Sequence, residues 1–435
     1  MSSQPFRPEL LSPAGSLKNM RYAFAYGADA VYAGQPRYSL RVRNNEFDHA
    51  NLAQGIREAH VLDKRFYVVV NIAPHNAKLK TFLDDLQPVI DMAPDALIMS
   101  DPGLIMLVRG RYPQMPIHLS VQANAVNWAS VAFWQGQGLE RVILSRELSL
   151  GEIEEIRTQV PDMELEVFVH GALCMAYSGR CLLSGYLNRR DPNQGACTNA
   201  CRWQYDVKAA EQNELGEIVR VVEPTLGIGA PSEQVFVLED GEQQMPVFED
   251  EHGTYIMNSR DLRAVQHVEQ LVKMGVHSLK IEGRTKSHYY CARTAQVYRQ
   301  AIDDALAGRP FDRSLMANLE SLAHRGYTEG FLRRHVHDEY QNYQHGSSLS
   351  DRQQFVGELT GKRRGELAEV RVKNRFSVGD GMELMTPEGN RRFTLAHLES
   401  RAGDAVGVAP GDGHVMYLPV PPEVDLRFAL LMRDL

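Results

Sequence analysis

Cysteine is scarce in this 435-residue chain: there are five, and four of them crowd into residues 174–201. Structural disulfides are one explanation of so close a group, and they require an oxidising compartment. No apolar run approaches the roughly 20 residues that a membrane helix requires. The first residues, Met1 to Pro8, are polar and lack the apolar core of a secretory signal, which predicts a cytoplasmic protein with reduced thiols. Basic charge is also short. With 47 Lys and Arg against 55 Asp and Glu, the net charge is -8, which argues against a protein that coats nucleic acid and leaves room only for local basic patches. The His-Glu-x-x-His helix of zinc proteolysis is missing too.

What is present is the cysteine cluster. Cys174, Cys181, Cys197 and Cys201 are separated by six, fifteen and three residues. In a reducing compartment, clustered thiols point to metal or redox chemistry, and thiolates suit either zinc or an iron-sulfur cluster. Structural zinc usually has two short Cys-x(2–4)-Cys knuckles. Only Cys197 and Cys201 have that spacing, so the pattern leans toward iron-sulfur and leaves zinc open. Cys291, within the helical run Tyr289 to Ala305, reads as a buried packing residue.

From residue 8 to about 305 short apolar runs alternate with amphipathic segments. The runs are Leu10-Leu11, Ala30–Tyr32, Phe66–Val70, Ala96–Met99, Ile117–Val121, Arg141–Leu144, Leu165–Val169 and Ser278–Ile281, with helical patterns such as Leu79–Met92, Trp128–Gln137 and Leu150–Val160 between them. This is the pattern of an α/β protein with a parallel sheet, and eight strands predict a TIM-like (β/α)8 barrel over residues 1–310; an open doubly wound sheet is the alternative. The cysteines then fall in an insertion after strand 7, residues 171–253, whose later part, Val207 to Val247, predicts a small antiparallel patch and which also absorbs the apolar Tyr255–Asn258 just beyond it. Asp261 to Lys273 predicts the seventh helix, capped by Asp261. Residues 311–350 read as a helical, histidine-rich segment and a linker. Residues 351–435, with short alternating runs and turns at Gly379-Asp380-Gly381, Pro387-Glu388-Gly389 and Gly411-Asp412-Gly413, predict a small all-β barrel.

Barrel enzymes keep their active sites at the C-terminal ends of the strands. The polar residues there are Ser12, Asn71, Ser100, Asp101, Gln122, Asn124, Ser145, Arg146, Glu147, His170, Lys280, Glu282 and Arg284; capping and loop solvation account for about half of such positions. Lys280 and Glu282 alternate on one face of a buried strand, where a charge is costly unless paired or functional. Together with His170 they are the candidate catalytic residues. Arg41, Arg43 and Arg284 are candidate carboxylate ligands, since a guanidinium fork matches a carboxylate. Arg333, Arg334, Lys362, Arg363 and Arg364, with Arg391 and Arg392 as further candidates, could track phosphates, although solvated turns explain them equally well.

One stretch is specific. Glu166-x-Phe168-x-x-Gly171-Ala172-Leu173-Cys174-x(4)-Gly179-x-Cys181-x-Leu183-Ser184 resembles the signature of peptidase family U32 at every fixed position. Glu9–Gly15, Ala28–Tyr32 and Ser278–Arg284 fit the same family. Within it, the chain is most similar to the prephenate-dependent tRNA hydroxylases that place a 5-hydroxyl on the wobble uridine. The resemblance implies a [4Fe-4S] cluster on Cys174, Cys181, Cys197 and Cys201, prephenate as co-substrate and the tRNA anticodon arm as partner. Other branches modify ribosomal RNA or a ubiquinone precursor. The family's name suggests instead a peptidase, with Cys174, Cys181 or Ser184 as nucleophile and His170 as base, but nothing marks one activated thiol among four. Oligomeric state is not legible.

Overall fold

The structure, a computed structural model, describes residues 6–40, 46–173, 177, 193, 260–324, 326–333 and 352–435, together with the backbone of five strands within 206–254. Eight parallel strands close into a barrel: β1 (Glu9–Pro13), β2 (Ala30–Gly34), β3 (Arg65–Val70), β4 (Ala96–Met99), β5 (Ile117–Leu119), β6 (Arg141–Ile143), β7 (Glu164–Ala172) and, in chain order, β14 (Ser278–Ile281). The last pairs with both β7 and β1 and completes the ring. Barrel strands are covered on both faces, which is why they read as nearly unbroken apolar runs; in β3 every residue but Arg65 is buried.

Helices α1 (Leu17–Ala25), α2 (His49–Val61), α3 (Asn76–Leu79), α4 (Phe82–Asp91), α5 (Pro102–Arg111), α6 (Trp128–Gly136) and α7 (Leu150–Gln159) fill the connections up to β7. Their starts are set locally. Ser16, Asp48, Asp101, Asn127 and Ser149 each accept the backbone N–H three residues on, the N-cap contact that satisfies an orphan donor of the first turn.

After β7 comes an antiparallel sheet of β8 (Asp206–Gln212), β9 (Ile218–Arg220), β10 (Val235–Asp240), β11 (Gln243–Asp250) and β12 (Gly253–Thr254), which covers the span where the sequence predicts one. The four clustered cysteines and Tyr255–Asn258 lie outside the described residues. Asp261 does not cap a helix. β13 (Asp261–Arg263) pairs antiparallel with Ala172, Gly171 and His170 of β7, and the helix α8 spans only Val268–Lys273. The end of β7 reaches past its pairing with β14, and its backbone groups need partners that an added strand supplies.

The long helix α9 (His288–Leu306) follows β14, and α10 (Ser314–Glu320) is short. The helical pattern expected from Phe311 onward ends there: Gly326 and Gly330 adopt φ of +80° and +59°, and β15 (Tyr327–Thr328) adds to β13. Residues 334–351 lie outside the described set.

The C-terminal region is all-β, as expected. It comprises β16 (Gln353–Arg364), β17 (Leu367–Val372), β18 (Phe376–Ser377), β19 (Gly381–Thr386), β20 (Gly389–Thr394), β21 (Glu399–Ser400), β22 (Val408–Ala409), β23 (Val415–Pro419) and β24 (Leu430–Asp434). Seven of these form one sheet in the order β20-β19-β24-β16-β17-β23-β21 over a core of its own. The sheet docks on α1 and α9. Tyr26 donates to the carbonyls of Met385 and Phe428 at 3.0 and 2.9 Å, fully buried Arg293 pairs with Glu383 at 3.0 Å, and Tyr289 stacks on Phe355.

Candidate functional site

Charge is built into the barrel interior. Arg141, only 2% exposed, reaches Glu9 at 2.6 Å, Glu164 at 2.8 Å and Glu166 at 3.2 Å. Tyr67 and Ser278 also donate to Glu9, at 2.6 and 2.9 Å. Glu166 in turn holds the Lys280 ammonium at 2.7 Å. Strand register dictates this grouping, since Ser278 lies opposite both Glu9 and Glu166, and Arg141 opposite Glu164. Burial alone would raise the Glu9 carboxyl, yet the Arg141 charge and its three donors carry it below the ordinary range. Burial also lowers Lys280, and Glu166 opposes that shift only in part. His118, whose ring lies 4.8 Å from that of Tyr67, is pushed far below its ordinary value by burial and the nearby cations, so it is neutral.

The next layer is aromatic. Lys280 sits 4.2 Å from the Tyr32 ring centre and 5.4 Å from that of Phe168. Two further cations meet the same rings: Arg146 at 3.8 Å from Phe168 and Arg284 at 5.9 Å from Tyr32. Cations over ring faces are favourable, the more so where water is excluded. At the rim, Asn71 donates to Ser120 and Gln122, and Ser100 donates to the Asn71 carbonyl. Arg284 donates to the Ser39 hydroxyl and the Leu40 carbonyl, which pins the loop that continues into Arg41 and Arg43. Those two arginines lie outside the described residues. The structure therefore brings Lys280 and Arg284 together with Arg146 and Glu166. Glu282 follows β14 and contributes its carbonyl to the Tyr290 hydroxyl at 2.6 Å.

His170 is not part of this group. Glu166 and Phe168 point into the barrel, but the register between β7 and β14 slips at Val169, so that Phe168 faces Lys280 and His170 faces Ile281. A one-residue bulge re-aims the side chain that follows it. His170 consequently lies among Tyr290, Tyr298 and Tyr327, at centroid distances of 5.8, 5.6 and 5.5 Å, with Nδ1 3.3 Å from the Tyr298 hydroxyl. Burial holds it neutral and lowers its pKa to about 3. This gives a pH dependence with a definite sign. As pH falls through the ordinary 6.5 the unfolded chain binds a proton that the folded one refuses, so stability is complete above 6.5 and declines toward 3, by up to about 1.4 kcal/mol per unit. Glu358, held at about 2 by His288 and Lys18, adds a loss between its ordinary 4.5 and 2. The melting temperature should fall from pH 6.5 to about 5, and less steeply in His170→Phe. A melting temperature unchanged across that interval would contradict the assignment.

The signature glycine also has a local reason. Gly171 has φ +109°, and a Cβ there would stand 2.5 Å from the Glu282 carbonyl oxygen, so only glycine lets the ends of β7 and β14 approach. Three residues later comes Cys174. Further along the chain, the Asn193 carbonyl accepts the Ala73 amide at 3.0 Å, which sets Asn193 beside the loop just after β3, at the barrel mouth. Cys291 is separate. It is fully buried against the Pro13 carbonyl, and burial pushes its thiol up to about 12.

The basic residues of the C-terminal region divide by surroundings. Arg363 is taken up by three carbonyls, of Val420, Pro421 and Val424 at 2.7 to 3.0 Å, and so straps a loop rather than presenting a charge. Arg364 lies 3.9 Å from the Tyr417 ring and bonds to the Arg401 carbonyl. Arg391 pairs with Glu423, and Arg333 with Glu329. Lys362 and Arg392 are exposed, and Arg334 lies outside the described residues. Sequence reasoning missed Arg141 as the hub. Its only signal was a charge opening an otherwise apolar strand.

Residues 15–342 match peptidase family U32, and residues 351–433 match the peptidase family U32 C-terminal domain. The "tRNA hydroxylation protein P" of Escherichia coli (strain K12) is 73% identical over 440 residues, covering 99% of this chain and 97% of that protein. The protein of the same name from Haemophilus influenzae is 69% identical, covering 99% and 97%. More distant is the "23S rRNA 5-hydroxycytidine C2501 synthase" of Escherichia coli (strain K12), 27% identical over 88% of this chain and 53% of its own length.

Proposed function

The chain belongs to peptidase family U32, and from that footing we propose that it is an RNA-hydroxylating enzyme whose substrate is tRNA. The observation that carries this reading is the 73% identity, over 99% of the chain, to a protein named for tRNA hydroxylation. The finer proposal is 5-hydroxylation of the wobble uridine with prephenate as co-substrate and an iron-sulfur cluster on Cys174, Cys181, Cys197 and Cys201. The donor set supports a cluster, since the sequence offers four thiols within residues 174–201, while Cys291 is sealed away. When bound, such a cluster supplies electron-transfer chemistry.

The chain's own residues then have definite tasks. Glu166 fixes Lys280 beneath the Tyr32 and Phe168 rings, and Arg146 and Arg284 approach the same rings. Three cations around a partly dry aromatic floor suit a small dicarboxylate. Arg284 also fixes Ser39 and Leu40, the residues that precede Arg41 and Arg43 in the chain. An anticodon loop offers bases that are already unpaired, so presenting C5 of the uridine requires little unstacking. A peptidase using His170 as base finds no support, because that imidazole is buried, turned toward α9 and, with its pKa lowered to about 3, too weak a base to take a proton from a thiol or hydroxyl. Protein purified without oxygen, given tRNA from cells that lack the gene, should form 5-hydroxyuridine only when prephenate is added. Full activity without prephenate would remove the co-substrate from the proposal and leave the RNA substrate standing.

A further inference from the structure

Helix α6 carries no charge and only two polar side chains, Ser130 and Gln135, yet it lies on the outside of the barrel. Of its nine residues only Val131 is fully buried. Phe133 and Trp128 are 58% and 45% exposed, Val126 just before the helix is 36% exposed, and Met106 on neighbouring α5 is 67% exposed. No Asp, Glu, Lys or Arg occurs between Arg111 and Glu140. A helix apolar all round is normally covered, and depletion of charge with enrichment in Trp, Phe and Met marks the core of a protein interface. An RNA surface would need several cations; among the described residues the one at the end of α6, Arg109, is taken up by the Pro113, Met115 and Gly138 carbonyls.

The pattern of sizes says what covers it. With Val131 against the barrel, the 3.6-residue period turns Ala129, Phe133 and Gly136 outward, with Val126 in line before them. All four are exposed, and a Cβ at Gly136 would meet nothing. Laid antiparallel on its own copy about a two-fold axis level with Val131, the row places Phe133 opposite Ala129 and Val126 opposite Gly136, a bulky residue on a small one at each contact. From the size alternation and the lack of charge we infer that α6 is the two-fold interface of a homodimer. Such an interface is self-complementary by construction. It is also compatible with the rest of the fold: the C-terminal sheet docks on α1 and α9, beside β1 and β14, whereas α6 lies between β5 and β6 on the far side of the ring. The loop leading into α6 is tied to the end of β6 by the Ser145 amide on the Ala125 carbonyl, so the partner flanks the barrel mouth. This inference does not depend on the proposed reaction.

Sedimentation of the full-length protein tests it. The wild type should run as a dimer of the 49.0 kDa chain at micromolar concentration. Phe133→Glu, an exposed position where folding is not at stake, should weaken the dimer by about 30-fold or more, the loss of an interface anchor. Ala129→Lys should do likewise. Mixing these two variants should restore a dimer, because the carboxylate introduced at position 133 of one copy then meets the ammonium introduced at position 129 of the other across the inferred pairing. A monomeric wild type would overturn the inference. So would Phe133→Glu remaining dimeric, or losing RNA binding with its mass unchanged.

Discussion

Arg141→Met is expected to lower the free energy of unfolding by about 3–5 kcal/mol, the loss seen when one partner of a buried charge network is removed. The reason is geometric. Arg141 is the only group among the described residues that touches Glu9, Glu164 and Glu166 together, and without it Glu9 and Glu166 remain buried inside the barrel with less to balance them. Lys280 still holds Glu166. Glu9 keeps only neutral donors and the distant Arg65, at 3.6 Å and 60% exposed. Arg65→Met is the control and should cost less than about 1 kcal/mol, as exposed ion pairs do. Urea denaturation of both variants checks this, and a small loss in Arg141→Met would mean that water reaches the network.

Anaerobically purified protein is expected to be brown, with iron and acid-labile sulfide. Cys174→Ser, Cys181→Ser, Cys197→Ser and Cys201→Ser should each bleach it, whereas Cys291→Ser should keep its colour because that thiol is buried against Pro13. Loss of a ligand should also make the segment after β7 more sensitive to protease, since metal binding and local folding are coupled. A colourless protein carrying one zinc per chain would contradict the cluster.

Much of the barrel was legible because strands buried on both faces leave apolar runs whose length and spacing are visible in the sequence. Each of the eight runs, from Leu10-Leu11 to Ser278–Ile281, became a strand. The site was less legible. His170 continues the alternation of Glu166 and Phe168 on paper, and only the slipped register at Val169 turns it out of the barrel. Asp261–Lys273 carries helical periodicity, but its first residues answer the unpaired end of β7, a demand that no local pattern records. The triplet Lys362-Arg363-Arg364 looks uniform in sequence, and it is the position of three loop carbonyls that separates Arg363 from its neighbours. Lys280 was found from its strand face, and its partner Glu166 had already appeared as the first residue of the signature. What sequence lacked was the register that joins them through Ser278.

The most direct test of the central claim is nucleoside mass analysis of tRNA from cells with the gene, without it, and without it but complemented. Deletion should remove part or all of the 5-hydroxyuridine-derived nucleosides, the wild-type chain should restore them, and Cys181→Ser should not. A nucleoside profile unchanged by deletion in cells that hold no second copy of such a gene would contradict it.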